Sequence, residues 1–198
     1  MRGIDCFDGF FEDWVIENNV VITDHWHGIT LLGATNCQII NNTVVNLNTV
    51  RPGPPWIQIG NHKNGSASTG NIVRNNLTTD LNITAGSSTV DHNIKFSDPQ
   101  LHFRNYAAHD LRLIETSTAI DQGSLELAPL IDHTGLPRPL DGLNDGEALP
   151  DIGAHEFSHP EKDSDGDGMS DGDEAVSGNS PSDGDDFFEV HCEHVANE

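Results

Sequence analysis

Twelve residues near the C-terminus carry the densest chemistry in the chain: Asp163-Ser164-Asp165-Gly166-Asp167-Gly168-Met169-Ser170-Asp171-Gly172-Asp173-Glu174. They match the pattern Asp-x-Asp-x-Asp-Gly-x5-Glu over its full length. A hard divalent cation takes about six to eight oxygens at roughly 2.3–2.6 Å, which explains the spacing. Asp163, Asp165 and Asp167 would supply carboxylates, and Gly168 the sharp turn. Met169 would offer its backbone carbonyl, Asp171 a contact through water, and Glu174 a closing contact through both oxygens. Without a cation, carboxylates packed this closely repel one another. A solvated acidic linker is the alternative, but it predicts no particular spacing. The expected cofactor is therefore Ca²⁺. Asp183, Asp185 and Asp186 offer further carboxylates for a second ion, although Asp186-Phe187 breaks the pattern. At the chain end, His191, Cys192 and His194 could hold zinc, at a spacing too short for a usual finger.

A second constellation lies at Thr23-Asp24-His25-Trp26-His27-Gly28. An aspartate beside two histidines offers a general base and an orienting carboxylate. If the run is extended, His25 and His27 share one face and Trp26 takes the other. Arg51, Trp56, His62 and Lys63 follow on two loops and are expected above the same face. Aromatic rings and cations together suit an acidic sugar polymer, with the ring against the pyranose and the cation against its carboxylate. Proton abstraction from such a sugar needs a base, here His25 or His27. It also needs a cation for the developing enolate charge, here Arg51 or Lys63. The plainer alternative is a corner where His and Asp satisfy each other and Trp fills space.

These groups must be positioned by what surrounds them. The chain has 198 residues, with 32 acidic and 9 basic side chains and a net charge of -23. That balance argues against nucleic acid or anionic membrane as partner. From Asp141 onward Lys162 is the only Lys or Arg, so the C-terminal part is a separate electrostatic unit. Cys6, Cys37 and Cys192 are too few and too odd for a disulfide framework. No apolar run is long enough to span a membrane. Met1 begins within a repeat and no signal peptide follows it, so the chain reads as part of a longer one whose missing N-terminal portion carries the signal.

Residues 1–97 are repetitive. Val15-Ile16-Glu17-Asn18-Asn19-Val20-Val21 returns as Ile39-Ile40-Asn41-Asn42-Thr43-Val44-Val45, an offset of 24. Ile72-Val73-Arg74-Asn75-Asn76-Leu77 and Val90-Asp91-His92-Asn93-Ile94 continue the series. Gly3-Ile4-Asp5-Cys6, Gly28-Ile29-Thr30-Leu31 and Trp56-Ile57-Gln58-Ile59 lie between them. Short β-branched runs at this period, interrupted by Gly and Asn, predict stacked strands of a solenoid rather than helices. Asn18, Asn42 and Asn75 are expected at matching corners, where Asn tolerates left-handed geometry and bonds to the next coil. Residues 98–158 stop repeating and predict a cap for the solenoid end. There Arg138 is expected to pair internally with Asp141 or Asp151. Residues 159–188 hold the cation loop, and 189–198 form a tail.

The run Asn36-Cys37-Gln38-Ile39-Ile40-Asn41-Asn42-Thr43-Val44-Val45-Asn46, after Gly28-Ile29-Thr30-Leu31-Leu32-Gly33, resembles coils of right-handed parallel β-helix proteins. That resemblance implies an all-β right-handed solenoid. The group includes polysaccharide lyases, uronan epimerases, pectin hydrolases, phage tailspikes and adhesins, so architecture is implied more firmly than activity. The loop 163–174 with Asn179-Ser180-Pro181-Ser182-Asp183 resembles a bacterial thrombospondin type 3 repeat, which implies an extracellular or cell-surface setting. The expected function is the C-terminal part of a secreted calcium-binding β-helix protein that acts on or binds a polysaccharide, expected to be anionic. Lyase or epimerase chemistry, non-catalytic adhesion and a structural spacer remain open at this point.

Overall fold

The short β-branched runs form short strands, and these stack. The computed structural model describes residues 2–47, 52–84 and 88–185. It comprises one unit ending at Phe157 and another beginning at Ser158. In the first, the chain winds through four coils. The first coil contains β1 (Ile4–Cys6), β2 (Phe11–Glu12), β3 (Val15–Glu17) and β4 (Val20–Thr23). The second contains β5 (His27–Leu32), β6 (Ala34–Thr35), β7 (Gln38–Ile40) and β8 (Thr43–Asn46). The third contains β9 (Trp56–Gly60), β10 (Asn71–Arg74) and β11 (Leu77–Thr78). The fourth contains β12 (Leu81–Ile83), β13 (Ser88–Asp91) and β14 (Ile94–Lys95).

Each strand pairs in parallel with its counterpart one coil away. The result is three four-stranded sheets, β1-β5-β9-β12, β3-β7-β10-β13 and β4-β8-β11-β14. The fold is thus all-β, a parallel solenoid. Alternation sends Ile29, Leu31, Ile57 and Ile59 of the first sheet inward, against Ile16, Ile39 and Val73 of the second and Val21 and Val44 of the third. Between those inward residues, Asp5, Thr30, Gln58 and Asn82 lie in register on the other face of the first sheet, where Thr30 is covered. Among the described residues, no helix is long and apolar enough to cross a membrane.

The repeat offset of 24 is one residue too long. Ile16 pairs with Ile39 and Val20 with Thr43, a separation of 23. A one-residue slip would turn the buried Ile16 away from the core. The corrected register divides the asparagines into two sets. Asn18, Asn41, Asn75 and, in the last coil, His92 hold the left-handed corner, with φ near 50°. Asn19, Asn42, Asn76 and Asn93 follow them and form a ladder. Asn42 Oδ1 accepts from the Asn19 backbone and side chain, Asn76 Oδ1 from Asn42, and Asn93 Oδ1 from Asn76, all at 2.8–3.0 Å. Each inner amide also donates to two backbone carbonyls, as Asn42 does to Ile16 and Ile40. Asn18 and Asn42, equated by the sequence repeat, therefore do different jobs.

The segment expected over the solenoid's end lies along its flank. The third sheet carries apolar residues on both faces, since Val20-Val21-Ile22 and Val44-Val45 are consecutive. Its outer face must therefore be covered. Phe96 and the segment beyond β14 do this: Phe103, Leu111, Leu113, Ile120, Ile152 and Phe157 pack against Val45 and Leu77. An antiparallel pair, β15 (Phe103–Asn105) and β16 (Asp110–Leu113), forms part of the cover. The same segment then straps three successive corners. Asn18 Nδ2 donates to the Ile131 carbonyl, Asn41 Nδ2 to the Asp151 and Gly153 carbonyls, and Asn75 Nδ2 to the Ser124 carbonyl. Arg138 pairs at 2.7 Å with Glu156, both side chains fully buried, rather than with Asp141 or Asp151. Those two aspartates instead accept from backbone N–H groups of their own segment.

The second unit contains α1 (Asp171–Ser177), capped by the Ser170 hydroxyl accepting from Asp173 N and ended by Gly178 at φ 87°. It begins within the acidic loop 163–174.

Candidate functional site

In the second unit, the loop 163–174 winds its backbone around its own carboxylates. Gly166 and Gly168 take positive φ of 80° and 98°, which a side chain would strain. Their N–H groups donate to the two oxygens of Asp163, at 2.7 and 3.1 Å. Asp167 N donates to Asp165 Oδ1 and Met169 N to Asp167 Oδ1. Asp163, Asp165 and Asp167 each bring a carboxylate oxygen within 4.8 Å of the other two. From the first turn of α1, Glu174 enters the same loop with its side chain wholly buried.

Four oxygens in this loop are buried without a hydrogen-bond partner: Asp165 Oδ2, Asp167 Oδ2 and both carboxylate oxygens of Glu174. A buried carboxylate normally carries donors or a counter-charge, because its desolvation is otherwise uncompensated. Burial, followed by repulsion from Asp165, Asp167, Asp171 and Asp163, pushes the Glu174 carboxyl up to about 7. Oxygen-only, inward-facing and short of donors, the set fits a hard cation such as calcium.

Asp171 does not stand with the other carboxylates. Its two oxygens accept from the backbone N–H and hydroxyl of Ser164, both at 2.7 Å. It braces the start of the loop against the start of the helix through Ser164, a residue that the sequence pattern leaves as x. The Met169 sulfur turns towards Ser177 and Asn179, leaving its backbone in the loop. Asp183 and Asp185 lie within the described residues, but only Asp163, Asp165 and Asp167 cluster as a possible metal set there. Asp186, His191, Cys192 and His194 lie outside the described residues.

In the solenoid, residues 24–26 form a bend rather than an extended run, and β5 begins at His27. The bend brings the aromatic groups together. His25 and His27 stack with centroids 5.1 Å apart, and His25 Nδ1 accepts from the His27 backbone N–H. Trp26 stacks on Trp56 of the next coil at 6.1 Å and 15°, while Trp56 meets the His27 ring edge-on at 5.5 Å. The His27 Nδ1 lies 3.0 Å from the Thr30 hydroxyl. Burial holds the His27 imidazole below its usual value.

Asp24 lies on the bend, where its carbonyl accepts from Gly53 N. The carboxylate acting most on His27 is Asp5, from the neighbouring strand β1. Burial raises the Asp5 carboxyl, and the charges of His27, Arg2 and His25 oppose that rise. The signal for Asp5 was present in the sequence: it is the middle residue of Ile4-Asp5-Cys6, which aligns with Ile29-Thr30-Leu31 and Ile57-Gln58-Ile59, so it must face outward.

His62 and Lys63 do not join this cluster. They follow the C-terminal end of β9, whereas Trp56 begins it. The five residues of β9, a span of about 13 Å, put them and Trp56 on opposite margins of the sheet. There His62 packs on Phe10 at 4.7 Å and Lys63 pairs with Asp8. Arg51 lies outside the described residues.

No protein-family model matches the chain, and no curated protein or solved structure matches it significantly. The functional reading therefore rests on the two sites themselves.

Proposed function

We propose that this chain is a calcium-binding extracellular solenoid whose first sheet engages polysaccharide. One observation carries the calcium reading: four carboxylate oxygens of Asp165, Asp167 and Glu174 are buried in one acidic loop without a hydrogen-bond donor. Asp163, Asp165, Asp167 and Glu174 would hold the ion, with the Met169 carbonyl as a further oxygen and Asp171 holding the loop closed through Ser164. Bound calcium would supply the positive charge that this loop lacks. Loops of extracellular modules bind at about 10⁻⁴–10⁻³ M, so such a site fills where calcium is millimolar.

The polysaccharide reading is supported by the Trp26–Trp56 pair. Trp26 is 46% exposed beside two imidazoles, and indole faces suit the apolar face of a pyranose ring. The base-and-cation pair needed for a lyase or epimerase finds no support from Lys63, which stands on the far margin with Asp8. Binding is therefore the reading favoured over catalysis.

Calorimetric titration with calcium tests the first part, on the intact chain and on Asp163→Ala with Glu174→Ala. One saturable site in the former and none in the latter is expected. Absence of heat at millimolar calcium in the intact chain would sink the calcium reading.

A further inference from the structure

We infer that the ligand of the first sheet is a neutral, hydroxyl-rich glycan, with Asp5 accepting from its hydroxyls. This deepens the polysaccharide reading and rests on it. Both Asp5 oxygens are covered and neither has a hydrogen-bond partner. Arg2 Nε approaches one of them at 3.6 Å, an ion pair without hydrogen-bond geometry. The Arg2 side chain is 58% exposed and rests over the Phe7 ring at 5.3 Å, so it is a displaceable cover. Phe7 in turn meets His27 edge-on at 4.8 Å.

The surroundings decide the ligand's charge. The outer row of the sheet is Asp5, Thr30, Gln58 and Asn82, with one carboxylate and no cation. At one margin stand Trp26, Trp56, His25 and His27, with His27 held towards its neutral form by burial. At the other margin Lys63 is matched by Asp8. An acidic sugar would bring a carboxylate to a face where, among the described residues, the cations Arg2 and Lys63 are already paired with Asp5 and Asp8, in a chain of net charge -23. A neutral sugar brings hydroxyl donors for Asp5 and an apolar ring face for the indoles.

The experiment is an array of neutral, uronate-containing and sulfated oligosaccharides probed with the fluorescently labelled full chain in millimolar calcium. Affinities of the best binders are then measured for the wild type, Asp5→Asn and Trp26→Ala. Neutral glycans are expected to bind. Asp5→Asn should weaken them about tenfold or more, the loss of a hydrogen bond to a charged acceptor. The melting temperature of Asp5→Asn should hold or rise, because a buried carboxylate without donors destabilises the free protein. A lowered melting temperature would mark Asp5 as structural and overturn its assigned role, as would neutral-glycan binding unchanged in Asp5→Asn. Selective capture of uronates or sulfated sugars would overturn the neutral class but leave the polysaccharide reading standing. Absence of binding to every class would end both.

Discussion

Replacing Glu174 with Gln should move two properties of the second unit in opposite directions. Without calcium, the Glu174 carboxyl is raised from its ordinary 4.5 to about 7 by burial and by the surrounding aspartates. In the unfolded chain the group ionises first, so folding stability falls as pH rises from about 4.5 to about 7. The penalty is then fully present above that range. At about 1.4 kcal/mol per pH unit of displacement, it reaches about 3 kcal/mol. That is an upper figure, because the carboxylates relax apart in solution. Glu174→Gln keeps the shape and removes the charge. In chelator, above pH 7, it should therefore increase hydrogen-exchange protection of the amides of Glu174 and Gly178, which close α1. The same substitution replaces one closing oxygen of the proposed cation site with an amide nitrogen and removes its charge, so calcium affinity should fall about a hundredfold or more. In wild type, calcium should offset part of that fall with pH. About 1 mM calcium at a dissociation constant of about 0.1 mM adds about 1.4 kcal/mol. Exchange measured by mass spectrometry at pH 5 and 7.5, with and without calcium, reads all of this. If Glu174→Gln loosens the calcium-free helix, or leaves calcium affinity intact, the reasoning from orphaned oxygens is wrong.

Two further outcomes follow from the solenoid. Asn42→Ala strips donors from the Ile16 and Ile40 carbonyls and the acceptor from Asn19, all along one buried corner. It should cost about 3 kcal/mol or more in urea unfolding, whereas exposed Asn82→Ala should change stability by less than about 0.5 kcal/mol. His155 is held down to about 4 by burial, so the unfolded chain takes up its proton first, near pH 6.5. Its contribution of about 3 kcal/mol is present above pH 6.5 and is lost as pH falls towards 4. Asp151 and Glu156, raised by burial, act in the opposite sense on acidification. The readout is therefore the wild type minus His155→Gln difference in urea midpoint, which should shrink across that window.

The sequence by itself determined the local features. β-branched runs broken by Asn and Gly specify short strands, and their recurrence specifies stacking, because one coil cannot bury its own apolar face. The acidic cluster of Asp163, Asp165 and Asp167 was legible for a similar reason: these carboxylates are neighbours along the chain, so their spacing is written there. Tertiary structure decided whatever depends on residues far apart. The register settled at 23 rather than 24 because only that pairing keeps Ile16 inside and stacks Asn19, Asn42, Asn76 and Asn93 on one another. The end cap became a flank cover because Val45 and Leu77 face outward and need Phe103 and Ile152 over them. Asp5 joined His27, and Lys63 left it, because neighbours in a solenoid are set by position within a coil. Residues 22 apart on adjacent strands meet, while residues seven apart along one coil stand on opposite margins of a sheet.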